Sequence, residues 1–434
     1  MVIRTNCLGL VIYATVCTTS IAWTQQVPQA DLEHAHRIEQ EFAAFDSSYG
    51  TSRAKRVSEI LRLYQEVKRR EGAGLKVSCS SQILWQLKAL ITQTADFQHI
   101  DRRIEDLKTS LDRPEQQTVA EWQDSADGSW GRCFDEWYCK LNAFCDAIDK
   151  PENKSFAEQI YPHFLDQVNS PARLTGYLVS ISVSDVLHTG VDHLLEFNLS
   201  LSNLMRLILR GQPTGYPWDP RLKATIKDLV LNRFRNPDTG WWGEGYLRDG
   251  RVLLVDDLST TFHIVTYLHG EVSDLPRIIA TTLAVKNLNY PIGWLWKGQY
   301  WNHNNMDVVA LFKAGWSQAS VEQRKAITVE IEKMLRWCLN ESLQADGSFK
   351  PHVADGSLEE GVYYGASFLS RIGYFDKSQR FWTDQDFSGA EAVRERIIDY
   401  ILKHRSTGGS GGSYYESALT DFLGYKASQG DRTK

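Results

Sequence analysis

Asp256 and Asp257, followed by His263 seven residues after Asp256, are the first residues in this chain whose types and spacing could move a proton. Residues seven apart on a helix return to nearly the same face, so one carboxylate and the imidazole could act together as acid and base. The same aspartates would also suit a helix start, with His263 as a packed core side chain. A second group is denser. Trp301-Asn302-His303-Asn304-Asn305-Met306-Asp307 sets His303 and Asp307 at i and i+4, where the carboxylate can orient the ring. An asparagine such as Asn304 could neutralise a uronate carboxylate while His303 takes the α proton and a tyrosine protonates the leaving oxygen. The alternative there is an Asn-capped helix start with aromatic packing. Glu359 and Glu360, with Tyr363 and Tyr364 one turn on, repeat the pattern of an acid pair opening a helix, where acids also serve as dipole partners. If such helix starts converge, acids distant in sequence could flank a glycosidic bond, one protonating the leaving group and the other activating water.

Flat aromatic surfaces surround these groups. Trp241, Trp242, Trp294, Trp296, Tyr300 and Trp301 concentrate in one part of a chain that has 14 tryptophans, and such rings suit sugars and isoprenoids alike or simply fill a core. Glu244, two residues after Trp242, could hold a sugar hydroxyl or a cation, or be a solvated turn charge.

The elements that must position these residues recur. NPDTGWWG at 236–243, QADGSF at 344–349 and DGSWG at 127–131 are Asp/Asn-Gly-aromatic turns, each leading into a helical stretch, with a worn relative near 408–425. Apolar periodicity predicts helices over 32–45, 54–70, 77–91, 104–111, 134–148, 156–168, 172–187, 191–209 and 221–234. Further helices are expected over 258–268, 275–286, 306–313, 320–339, 361–370 and 390–402, and the best strand runs over 251–255. The expected organisation is a targeting segment at 1–23, N-terminal helices at 24–119, an all-α ring at 120–425 and a polar tail at 426–434.

A hydrophobic content of 42% over 434 residues can bury a large core. A net charge of -6, with no basic run beyond Lys68-Arg69-Arg70, argues against nucleic acid as a partner. Arg4 before an apolar stretch that ends near a Ser20-Ile21-Ala22 triplet reads as a secretory signal, implying a secreted or periplasmic protein with no stable membrane span once it is removed. Cys79, Cys133, Cys139, Cys145 and Cys338 would remain, an odd number that leaves at least one thiol free. Cys139 and Cys145 do not share a helical face, so they are not expected to pair, and no metal site or cofactor motif is read. Sequons begin at Asn153, Asn198 and Asn340.

The turns DGSWG, PDTGWWG and QADGSF resemble the repeats of the squalene cyclase and protein prenyltransferase superfamily, and the pattern of toroidal polysaccharide lyases and glycoside hydrolases. That resemblance covers about 120–425 and implies an α/α toroid with a ligand cavity at one end. The cyclase acidic signature has Leu254 where its first acid would stand, ahead of Asp256 and Asp257. The leading expectation is an enzyme that cleaves a glycan by paired carboxylates. Uronate elimination by His303 and a tyrosine, a noncatalytic toroid binding a glycan or protein, and cyclase-like chemistry on another small molecule are the alternatives.

Overall fold

The computed structural model describes residues 52–71, 73–113, 123–148, 160–210, 216–268, 270–351, 358–404 and 412–425. The expected targeting segment at 1–23, the helix at 32–45 and the tail at 426–434 lie outside the described residues. Among the described residues the protein is mostly helical, and no helix is long and apolar enough to cross a membrane.

Helix α1 (residues 52–71), α2 (Ser78–Gln93) and α3 (Phe97–Asp112) form an N-terminal layer with its own core of Ile60, Leu87, Ile91, Ile100 and Leu107. In α3 the apolar side chains Ile100, Ile104, Leu107 and Leu111 fall on one face, and Asp96 starts the helix by accepting the His99 amide at 3.0 Å. A Cys79–Cys133 disulfide ties this layer to the rest of the chain, while Cys139, Cys145 and Cys338 are free and buried.

The body continues through α4 (Trp137–Ile148), α5 (Pro171–Ser180), the short strand β1 (Val183–Ser184), the single turn α6 (Val186–Thr189), α7 (Leu194–Arg210) and α8 (Leu222–Asp228). Strands β2 (Gly243–Arg248) and β3 (Arg251–Asp256) follow, then α9 (Leu258–Tyr267), α10 (Leu275–Ala284), α11 (Asn302–Gly315) and α12 (Val321–Trp337). Last come α13 (Leu358–Arg371), α14 (Ala390–His404) and α15 (Gly412–Ser417). One series of helices packs neighbour on neighbour in the order α4, α7, α9, α11, α13, α15. The intervening helices lie behind that series, with α8 against α7 and α10 against both α11 and α12. A single large core joins both layers.

The recurring turns are built alike. Asp127 accepts the Ser129 amide and hydroxyl at 2.9 and 2.6 Å, and Asp346 accepts the same groups of Ser348 at 2.9 and 2.7 Å. Gly347 is required by its φ of 95°, and by a backbone oxygen of Arg396 only 2.3 Å from where a Cβ would sit. Each of the three turns feeds a helix of the first series: α4, α9 or α13.

Several elements differ from the periodicity reading. The helix expected over 172–187 stops at Ser180, because Val183 and Ser184 pair in parallel with Gly245 and Tyr246 of β2. That partner lies 62 residues on (245 minus 183), where a local pattern cannot register it. Helix α3 begins earlier than 104, α11 begins one turn before 306, and α13 spans Leu358–Arg371. Of the helix expected over 156–168, the described part is a 3-10 turn, His163–Val168. β3 extends through Asp256, so the predicted Asp256–Asp257 helix start is corrected to Asp257 alone.

Candidate active site

The first turns of α7, α9 and α11 carry polar side chains into the core, where apolar packing would be expected. Asp257 opens α9 and is 1% exposed; its Oδ1 accepts the Thr260 amide at 2.5 Å and the Asn198 amide nitrogen at 3.2 Å. Asn198, from the first turns of α7, also donates to the Thr260 hydroxyl at 2.8 Å, which locks the two helix starts together. Among the described residues the second oxygen of Asp257 has no hydrogen-bond partner. Burial outweighs these donors and pushes the Asp257 carboxyl up to about 6.

Asp307, on the second turn of α11, is 0% exposed, and among the described residues neither of its oxygens has a hydrogen-bond partner. His303 Nε2 stands 3.9 Å from it, as the i,i+4 spacing predicts. Burial drives the Asp307 carboxyl well above the carboxylate range; the Arg371 charge opposes this and the Asp257 charge adds to it. A buried carboxylate without a hydrogen-bond donor is costly, which favours the protonated form. Tyr290 lies in the field of both acids and hydrogen-bonds Ser259, and burial followed by those two charges raises its phenol.

Aromatic rings line the approach. His303 stacks on Tyr364 with centroids 4.0 Å apart and rings inclined by 12°, and meets Trp301 edge-on at 4.8 Å. Trp296 bridges Tyr290 at 6.2 Å and Trp301 at 5.7 Å, while Tyr363 contacts Tyr364 and Tyr414 at 5.1 and 5.3 Å. Tyr290, Tyr363, Tyr364, His263 and Arg371 all keep part of their surface accessible. Yet burial is the largest cause of the shift in every one of their pKa values. These groups are thus neither fully enclosed nor at the surface.

The structure thus gathers Asp257, His303, Asp307, Trp296, Trp301, Tyr363 and Tyr364, with Glu360 acting electrostatically on Tyr364. It places the remaining candidates elsewhere. Asp256 ends β3 and accepts from Asn236 at 3.1 Å. Glu359 is half-buried and feels Lys68 of α1. Trp241, Trp242 and Trp294 are each 0% exposed, so they are wall and not sugar platform. The first two indoles donate to Ile278 and Val230 carbonyls at 3.3 and 2.6 Å. Asn304 is spent on the Trp294 carbonyl at 2.8 Å, and Tyr300 packs against Trp337 of α12.

Glu244 is not a solvated turn charge: it is 0% exposed on β2, receives the Ser184 hydroxyl, and is raised well above its usual range by burial and by Asp192. Gly243 permits that strand, because a Cβ there would meet the Val255 oxygen at 1.7 Å. His263 lies among Arg206, Arg210 and Arg371, and burial followed by those charges depresses it to about 4.

Sequence reasoning missed Asn198, Tyr290 and Arg371. Asn198 was visible only as a sequon, yet its amide is 8% exposed and occupied by Asp257 and Thr260. Among the described residues one His/carboxylate triad could hold a metal: His99, Asp135 and Glu136, with ligand atoms within 4.8 Å of one another. Asp135 there is already held by His99 at 2.8 Å, by Gln86 and by Arg103 at 3.5 Å. Compared with family models, curated proteins and solved structures, the chain matches none.

Proposed function

We propose that this chain is a toroidal glycan-cleaving hydrolase in which Asp307 and Asp257 are the acid and base. The observation that carries the reading is the pair of buried carboxyls on adjoining helices whose oxygens lack partners among the described residues, beside a cluster of aromatic rings. Burial favours the protonated form of Asp307, which suits it to protonate a leaving glycosidic oxygen. Asp257, at about 6, is ionised near neutral pH and suited to activate water or attack the anomeric carbon. Tyr364 and Trp301 offer ring faces to a sugar, and Tyr290 offers a hydroxyl between the acids. A ring closed between α4 and α15 accounts for the enclosure of the acids, and Tyr414 of α15 senses the charge of Asp146 on α4. Export is supported by the Cys79–Cys133 bridge, which fits an oxidising compartment.

Elimination from a uronate is the second reading. It is favoured by the His303–Tyr364 stack, which sets a base and a phenol side by side with Asp307 behind the imidazole. The test is turnover of plant, algal, bacterial and host glycans, read as new reducing ends and as absorbance from an unsaturated uronate. Asp307→Asn and Asp257→Asn are expected to lower hydrolysis by at least about 100-fold, while His303→Ala has that effect only if elimination is the reaction. Full turnover in both aspartate variants rejects the hydrolytic reading, and binding by the wild type without turnover replaces it with a noncatalytic glycan receptor.

A further inference from the structure

Asn198 is the polar exception on the buried face of α7. On that helix Phe197, Leu201, Leu204, Met205 and Ile208 are all buried, and Asn198 stands three residues before Leu201 and seven before Met205, in line with them. A carboxamide at such a position gives up its water and must find protein partners. Both hydrogens of its Nδ2 are committed to α9, the neighbouring helix: it donates to Asp257 Oδ1 at 3.2 Å and to Thr260 Oγ1 at 2.8 Å. We propose that Asn198 is a positioning residue of the acid and base site, holding Asp257 by Oδ1 so that Oδ2 is the reacting oxygen, and favouring the ionised form of the carboxyl.

The hydrogen bonds on this carboxyl are one-sided. Oδ1 receives the Thr260 amide at 2.5 Å as well as Asn198, whereas among the described residues Oδ2 has no hydrogen-bond partner. The Thr260 bond is the N-cap contact of α9, supplied by the helix that Asp257 itself opens. Among the described residues Asn198 is the donor that reaches Asp257 from a different helix, so it ties the rotation of the carboxyl to the packing of α7 on α9. Asp307 of α11 and Tyr290 ahead of α11 sense the Asp257 charge, and neither is a cation that could hold a carboxylate. Ionisation of Asp257 therefore leans on neutral donors, and removing one raises its proton affinity. A purely structural role for Asn198, a lock made through Thr260 Oγ1, predicts a loss of stability with the Asp257 titration unmoved.

That Asp257 reacts rests on the glycan-cleaving reading, whereas its dependence on Asn198 is testable without a substrate. The full-length protein, Asn198→Ala and the isosteric Asn198→Asp, each carrying isotope-labelled aspartate, are titrated from about pH 4 to about 9 and followed by carbon NMR. The Asp257 Cγ signal is the one missing from the spectrum of Asp257→Asn. In the wild type it titrates near about pH 6. Loss of a donor to the carboxylate moves it up by about one pH unit in Asn198→Ala, and a second carboxylate facing Oδ1 moves it further in Asn198→Asp. The acid limb of turnover, measured on any plant, algal, bacterial or host glycan that the wild type cleaves, moves with it. Turnover at about pH 6 then falls about fivefold more than at about pH 8 in Asn198→Ala. An Asp257 titration unmoved in both variants overturns the proposal, as does an acid limb that stays in place while the titration moves. If both variants fold poorly, the Asn198 carboxamide protons of the wild type decide. They shift with a midpoint near about pH 6 and lose that response in Asp257→Asn, and signals indifferent to Asp257 reject the proposal. Control of the Asp257 titration by Asn198 without cleavage of any glycan leaves the positioning standing and removes the hydrolase. Cleavage whose acid limb ignores Asn198 keeps the hydrolase and overturns the positioning.

Discussion

Asp257 caps α9 and His263 lies six residues on in the same helix, and burial moves their proton affinities in opposite directions. The aspartate rises from 3.8 to about 6, so between those values the folded state binds more protons than the unfolded chain. Its stabilising contribution is complete below about 4 and is lost as pH rises through 6. The histidine falls from 6.5 to about 4, so its contribution is present above 6.5 and is lost as pH falls toward 4. Each term is on the order of 3 kcal/mol, and together they nearly cancel across the window. Denaturant titrations from pH 4 to 6.5 are therefore expected to show Asp257→Asn losing stability as pH falls, and His263→Gln losing it as pH rises. Matching slopes in both variants would contradict the opposed shifts. Turnover should fall below about pH 6 as Asp257 protonates, with an alkaline limb as Asp307 loses its proton.

Among the elements, the N-terminal layer depends most on a covalent tie. Helices α1 to α3 have a small core of their own, and the Cys79–Cys133 bridge closes a loop across a separation of 54 residues. A loop of that length is worth about 4 kcal/mol in restricted unfolded-chain entropy. Polar contacts reinforce the junction: Arg103 donates to the Cys133 carbonyl, and His99 holds Asp135 at 2.8 Å. Cys79→Ser is expected to lower unfolding free energy by about 2–4 kcal/mol, with amide exchange rising first in α2 and α3. Uniform exchange across the whole chain would show that the layer is not a separate cooperative unit. The same comparison explains how periodicity fared. α12 and the second half of α3 are legible from their apolar stripes, and a Ser320–Gln323 capping box starts α12. β2 was not legible, since its burial comes from β1 and β3 and not from any alternation of its own.

For the whole molecule, the decisive feature is the neighbour series from α4 to α15 and its proposed closure. Closure brings Asp146 and Tyr414 near one another, although 268 positions separate them in the chain (414 minus 146). With cysteines at those two positions, a short bismaleimide is expected to produce an intramolecular crosslink in the folded protein and none in denaturant. Among the described residues the free thiols, Cys139, Cys145 and Cys338, are buried and should stay unreacted, and Cys7 and Cys17 are changed to serine in the crosslinking variant. Failure to crosslink in the folded state would leave an open arc. An open arc would expose Tyr363 and Tyr364 to bulk water, and the proton affinities of the candidate acids would relax toward ordinary values.

Local chemistry alone determined the helical grammar, the Asp/Asn-Gly turns and the His303–Asp307 contact, because each depends on residues a few positions apart. The tertiary structure decided which acids are buried. Asp256 and Glu360 looked equivalent to Asp257 and Asp307 along the chain, but a strand register removed Asp256 from the helix start. Enclosure by helices far apart in sequence then left Asp257 and Asp307 with oxygens that lack partners among the described residues. Desolvation is a property of everything that surrounds a group, so a residue's neighbours in sequence could not report it. The same holds for the tryptophans: residue type made them candidates, and only packing separated Trp241, Trp242 and Trp294 in the wall from Trp296 and Trp301 in the aromatic cluster.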